Sequence, residues 1–175
     1  MKFKTGGSKS EGSKHYIRLK DGDSVSGVLR GDPVEYRTHW VGQGTVLCTR
    51  KNRTDTACKY CNEGNKPAFR FKLNMIIKEN GALTAKILES GWTVYESLDA
   101  LNKEYPLDKT TIKISRKGSG KNDTTYSVIP VRGGEVNADL EKMIGAVKLH
   151  DLNGKETPPT QEEPPYPEEW DQIDE

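Results

Sequence analysis

Cysteine, histidine, phenylalanine and tryptophan each occur only three times in this 175-residue chain. An odd number of cysteines argues against a disulfide framework, and nothing at the N-terminus reads as a signal peptide leading to an oxidising compartment. No apolar run approaches the length of a membrane span, so the sequence reads as that of a soluble protein. A hydrophobic content of 33% with 17 glycines implies much loop and turn around one modest core. Assembled chemistry is also scarce. Gly118 and Gly120 are not followed by G-K-[ST] and lie in a strand–loop–strand context, which argues against a Walker nucleotide site. A zinc deaminase needs H-x-E and P-C-x-x-C, whereas this chain has His39-Trp40-Val41 and Ala57-Cys58-Lys59-Tyr60-Cys61, lacking both the glutamate and the proline. No nucleophile–base set stands out, so the chain does not read as an enzyme.

What cysteine there is lies together. Cys48, Cys58 and Cys61 all fall between His39 and Cys61, with Cys48 ten positions before Cys58 and His39 nine before Cys48. A C-x-x-C turn sets two thiolates at the separation a tetrahedral ion wants, and one Cys and one His from a preceding hairpin complete a Cys₃His set for one structural zinc. His15 and His150 are the other histidines and lie far away in sequence. A redox C-x-x-C should open a helix in a βαβ unit, and Asn62-Glu63-Gly64-Asn65-Lys66-Pro67 will not propagate one.

The net charge of +1 conceals a division. From Glu156 to Glu175 there are eight acidic residues and no Lys or Arg, which leaves 18 acidic against 27 basic residues in 1–155. A body of about +9 predicts a polyanion partner, and a Pro-rich tail of −8 predicts a disordered competitor for it. Within the tail, Trp170 and Ile173 are apolar anchors that a partner's groove can bind. Residues 1–14 read as a flexible basic lead.

From Tyr36 to Lys72 eight basic residues face only Asp55 and Glu63, with Tyr36, Trp40 and Tyr60 among them. Interleaved rings and cations suit a single-stranded nucleic-acid groove, where bases stack and phosphates are tracked. The candidates for those contacts are Tyr36, Trp40, Arg50, Lys59, Tyr60, Arg70, Lys72, Arg116, Lys117 and Tyr126. Trp40 has an equal claim as apolar cover for the metal.

Alternation predicts a strand over Ser24–Arg30, ended by Gly31-Asp32-Pro33, with Gly27 at a bulge or sharp bend. In a second strand, Phe69–Ile77, the side chains of Phe69, Phe71, Leu73, Met75 and Ile77 face the core and those of Arg70, Lys72 and Asn74 the ligand side. Asn80-Gly81 is a hairpin signal into Leu83–Leu88. Thr93 and Glu96 predict a capping box for a short helix with Val94, Leu98 and Leu101 on its buried face. A hairpin of Thr111–Arg116 and Thr124–Val131 follows, then a last helix begun by Asn137 or Asp139, with Leu140, Ile144 and Val147 inward. The order is that of a mainly β OB-fold, a five-stranded Greek-key barrel over 15–155 with two short helices and a zinc insertion at about 36–67. A small β-barrel of another topology is the competing fold.

The Cys48-x9-Cys58-x2-Cys61 spacing with an upstream histidine resembles the zinc site of the single-stranded-DNA-binding proteins of T-even-type tailed phages. Lys20-Asp21-Gly22-Asp23, the hairpin from Ser115 to Tyr126 and the acidic tail are similar to segments of that family. The histidine lies closer to the first cysteine than in that pattern, and the family's long cooperative N-terminal module is matched only by the Lys-rich lead. The resemblance, over 15–175, implies an OB fold holding ssDNA in a basic, aromatic cleft, with structural zinc. It also implies a tail that recruits replication, recombination and repair proteins, and a place in the cytoplasm of an infected host. The alternative reading is a zinc-ribbon module that binds RNA or regulates transcription, since basic grooves with stacking rings serve RNA equally well.

Overall fold

The structure, a computed structural model, describes residues 14–120 and 122–153. The basic lead before Lys14 and the acidic tail with Trp170 and Ile173 lie outside the described residues.

The chain is mainly β. Strands β1 (Ser24–Trp40), β2 (Thr45–Leu47), β3 (Ala68–Glu79), β4 (Ala82–Ser90), β5 (Thr110–Lys117) and β6 (Thr125–Glu135) form one six-stranded antiparallel sheet. Helices are few: a single turn α1 (Lys59–Asn62), then α2 (Trp92–Asn102) and α3 (Ala138–Gly145). Pairing follows the path β4-β3-β1-β5-β6, with the short β2 also on β1. Contacts divide the described residues into two units, 14–35 with 70–153, and Tyr36–Phe69.

Local chemistry explains most of these elements. Glu79 pairs with Ala82 across Asn80 and Gly81, whose φ values of 50° and 83° are the left-handed pair that a two-residue hairpin requires. Asn137 caps α3, its side-chain oxygen accepting from the Leu140 amide at 2.8 Å. Gly27 is required by close approach: a Cβ there would stand 2.3 Å from the Ile76 carbonyl oxygen. The core is built from alternating strand residues. Phe71, Met75, Ile112 and Ile114 are fully enclosed, and Ile144 of α3 closes on Val28, Ile76 and Ala85. Each such side chain contributes roughly 1.5–3 kcal/mol by leaving water.

Three expectations are corrected. The first strand does not end at Gly31-Asp32-Pro33 but runs through to Trp40. Gly31 takes φ 76°, which kinks the strand without turning it back. The Thr93–Glu96 capping box is not made, because α2 starts two residues earlier with Gly91 as N-cap and no side-chain cap. Thr93 is therefore already inside the helix, its carbonyl accepting from the Ser97 hydroxyl at 2.8 Å. Thirdly, the Arg70–Lys72–Asn74 face of β3 is not an open surface. Lys72 and Asn74 are 7% and 4% exposed. The Lys72 ammonium lies 5.7 Å from the Tyr16 ring centre, and Asn74 exchanges two 3.0 Å hydrogen bonds with the His150 backbone. Arg70 reaches Glu89 at 3.4 Å.

Candidate metal centre

The unit Tyr36–Phe69 begins with the end of β1, where strand alternation puts neighbouring side chains on opposite faces. His39 points inward and is fully buried, whereas Trp40 is 38% exposed. β2 pairs back with Thr38 opposite Leu47 and His39 opposite Val46, across a turn closed by the Val41 amide donating to the Gly44 carbonyl. The Cys48 amide continues the ladder, donating to the Arg37 carbonyl at 2.8 Å. That places the first thiol one step beyond the strand.

The loop from Thr49 to Ala57 is held by its own polar side chains. Asp55 accepts from the backbone amides of Lys51 at 2.7 Å and Ala57 at 2.8 Å, and these bonds hold its carboxyl below the usual range. Cys58 then caps α1 and Cys61 lies inside it. Beyond the turn, Gly64 at φ 86° receives the chain, and the Asn65 amide donates to the Tyr60 carbonyl at 2.9 Å. The helix stops after one turn, as the Glu63-Gly64 sequence requires.

Four ligand atoms converge. Cys48 Sγ and Cys61 Sγ are 3.7 Å apart, and His39 Nε2 is 3.3 Å from Cys58 Sγ and 3.5 Å from Cys61 Sγ. All four lie within 4.8 Å of one another. A metal–sulfur bond of about 2.3 Å and a metal–nitrogen bond of about 2.05 Å at tetrahedral angles give edges of about 3.8 and 3.6 Å. The sulfur pair matches its edge and the two nitrogen–sulfur separations of 3.3 and 3.5 Å fall slightly inside theirs, and a sulfur pair at 3.7 Å is far outside disulfide length. His39, Cys48, Cys58 and Cys61 can therefore hold one metal ion, with no position left for water.

The electrostatics agree with such a site. The Cys58 thiol is held down to about 6, first by the Cys61 backbone N–H, then by the Thr49 backbone and the thiols of Cys48 and Cys61, against burial. Burial is the main cause pushing Cys61 the other way, with the neighbouring thiols adding to it. An ion bound there would relieve that conflict by holding all three sulfurs as thiolates.

Asn65 completes the centre, and sequence reasoning missed it. Its Nδ2 donates to the Trp40 carbonyl at 2.8 Å, so its Oδ1 faces His39 Nδ1 at 3.3 Å. Nδ1 must then be the protonated nitrogen, which leaves the Nε2 lone pair directed at the sulfurs. Tyr60, not Trp40, covers the site: its ring lies 5.6 Å from the His39 ring, with the Lys59 ammonium 4.9 Å from the Tyr60 centre.

The other candidate contact residues are distributed over both units. Tyr36 is half-buried, and Arg50 donates to the Asn52 carbonyl at 2.8 Å. On the β5–β6 hairpin, Arg116 stands opposite Tyr126 and Lys117 opposite Thr125. Arg116 is drawn into the fold, donating to the Leu19 carbonyl at 2.9 Å and to Thr124 Oγ1 at 3.4 Å. Lys117 is exposed and Tyr126 half-buried. Comparisons of the chain with protein-family models, curated proteins and solved structures gave no match.

Proposed function

We propose that this chain is a single-stranded-DNA-binding protein on an OB barrel, with one structural zinc ion in the His39–Cys48–Cys58–Cys61 set. Tetrahedral sulfur–imidazole coordination suits zinc, which carries no redox chemistry and prefers a closed site when its role is structural. The barrel reading is supported by β1 pairing with both β3 and β5, the central position of the first strand in a five-stranded Greek key.

One observation carries the nucleic-acid reading. The metal unit holds Arg37, Arg50, Lys51, Arg53, Lys59 and Lys66, and among the described residues none of them makes an ion pair. In the same unit Trp40 is turned outward by the strand that turns His39 inward. Cations free of carboxylate partners and an exposed ring in one unit are what sequence-tolerant stacking on single strands uses. On the β5–β6 hairpin, Lys117 and Tyr126 are the members offered to phosphate and base. In this reading the protein coats ssDNA during phage replication, recombination and repair in the host cytoplasm. The acidic tail, through Trp170 and Ile173, recruits the partners.

Competition among ssDNA, RNA and duplex of equal length tests this directly. The expected result is preference for ssDNA, a log–log salt slope of about −0.7 per phosphate neutralised, and a loss of roughly 1–3 kcal/mol in Trp40→Ala. Binding that favours duplex or ignores salt overturns the reading, and a preference for RNA moves it to the RNA-binding alternative.

A further inference from the structure

A cleft of about 470 Å³ lies wholly within the unit that contains α2. Its floor is apolar, with Leu29, Phe71, Leu98 and Leu107 all buried. Its lining contains three carboxylates, Asp32, Asp99 and Asp108, and no Lys or Arg. The kink at Gly31 presents Asp32, and one face of α2 presents Tyr95, Leu98 and Asp99 at helical spacing.

The walls are braced. Tyr95 donates to Glu35 Oε1 at 2.5 Å and meets the Phe71 ring edge-on at 5.3 Å. Trp92, 54% exposed, stacks on Tyr95 at 5.7 Å. Leu107 is fixed at both ends, its amide donating to Asn102 Oδ1 at 3.2 Å and its carbonyl accepting from Leu29 at 3.3 Å. Lys103 takes up Asp99 at 3.0 Å, so Asp32 and Asp108 are the lining carboxylates without an ion pair among the described residues.

A floor of this kind wants an apolar side chain, and the carboxylates want cations beside it. The charge runs opposite to that of the body, about +9 over residues 1–155. A phosphate backbone and the acidic tail are therefore both repelled here. We propose that the cleft docks a basic peptide segment of another protein. An apolar side chain sits on the leucine and phenylalanine floor, and flanking Lys or Arg residues are held by Asp32 and Asp108 beside the Tyr95 ring. Volume and shape fit a short segment rather than a protein face. A linear polyamine would satisfy the carboxylates but leave the floor uncovered. The assignment does not depend on the nucleic-acid reading.

The test is fluorescence anisotropy on the full chain with labelled Arg-Lys-Leu-Leu-Lys-Arg, and the same peptide with both Leu replaced by Ser. Saturable binding at moderate salt is expected, weakened roughly tenfold by the Ser probe and roughly tenfold by Asp32→Asn with Asp108→Asn. Glu135→Gln with Asp139→Asn, exposed carboxylates that do not line the cleft, should bind like wild type. Equal binding of the two probes, or equal loss in both variant pairs, reduces the effect to general charge and overturns the proposal. So does displacement of the peptide by spermidine at equal concentration. A full chain with Lys2, Phe3 and Lys4 all changed to Ala should bind the probe as wild type does. Markedly tighter binding there makes the chain's own lead the occupant and overturns the assignment to a partner. The ssDNA affinity of Asp32→Asn with Asp108→Asn should be unchanged, which separates failure at this cleft from failure of the function proposed above.

Discussion

Asn65→Ala probes the metal centre through a residue that touches no ion. The substitution removes the acceptor at 3.3 Å from His39 Nδ1 and the donor at 2.8 Å to the Trp40 carbonyl. Without them the imidazole is free to rotate and to protonate Nε2, the nitrogen aimed at the sulfurs. Loss of an outer-shell partner typically costs 10–100-fold in metal affinity. The His39 contact is long for a hydrogen bond, so the lower end applies: about tenfold, or about 1.4 kcal/mol. Asn65→Asp keeps an acceptor at Nδ1 and strengthens it with charge, but turns a second acceptor on the Trp40 carbonyl. Its affinity should fall between wild type and Asn65→Ala. Zinc affinity is measured by titration against a chromophoric chelator, and the ligand-field bands of a cobalt-substituted sample report whether nitrogen remains bound. Unchanged affinity and unchanged cobalt bands in Asn65→Ala would refute the argument that this amide holds His39 in place.

Other outcomes follow from the same structure. Cys58→Ser should release a bound ion and raise hydrogen exchange over residues 36–67 while β3–β6 stay protected; intact zinc stoichiometry would contradict the ligand set. Gly27→Ala forces a Cβ against the Ile76 carbonyl oxygen at 2.3 Å and should destabilise by about 3 kcal/mol, the upper end for overpacking; a melting temperature equal to wild type would show that β1 and β3 can part at no cost. Asp55 is a carboxylate with a lowered folded pKa, so its support of the loop is fully present above the usual Asp range and is lost as pH falls through the lowered value. Amide protection at Lys51 and Ala57 should fade in that acid window in wild type and be absent at all pH in Asp55→Ala; protection that persists in the variant would mean the loop is ordered by something else.

The candidate ligand cluster was legible because each of its members depends on local chemistry. C-x-x-C closes over one turn, and strand parity alone turns His39 away from Trp40. Asn65 was not legible, since its partners His39 and Trp40 are 26 and 25 residues away and nothing periodic links them. The β3 error has a related cause. Alternation placed Phe71, Leu73 and Met75 on a buried face, with Phe69 and Ile77 only half-buried at its ends, but it cannot report what lies on the other, where Ile76 is core as well. The second face is covered by segments without periodicity: Ile17 donates to the Ile87 carbonyl at 2.9 Å beside Tyr16, and His150 clamps Asn74. The capping box failed in another way. Thr93 and Glu96 have the right spacing, but Gly91 adopts the extended N-cap geometry first and the helix begins before Thr93 can act.

The same reasoning explains what an ion at this site would do for the unit Tyr36–Phe69. From Tyr36 to Phe69 the only buried side chains are Thr38, His39 and Cys58, and two of those belong to the candidate ligand set. Apolar burial cannot offset the conformational entropy of ordering such a stretch, which runs at roughly 1–2 kcal/mol per residue for backbone alone. A structural zinc site supplies about 10–16 kcal/mol in small modules, enough to matter where there is almost no core. Under that assignment the ion takes the place of a hydrophobic centre. Side chains that a core would have claimed are then left outward, as Trp40, Val41 and Leu47 are. Chelation should therefore remove the exposed aromatic and cationic surface as a fixed arrangement while leaving its composition untouched. If the metal-stripped chain bound single strands with undiminished affinity, the surface would be acting as a charged coil, and the order imposed at His39 would be irrelevant to binding.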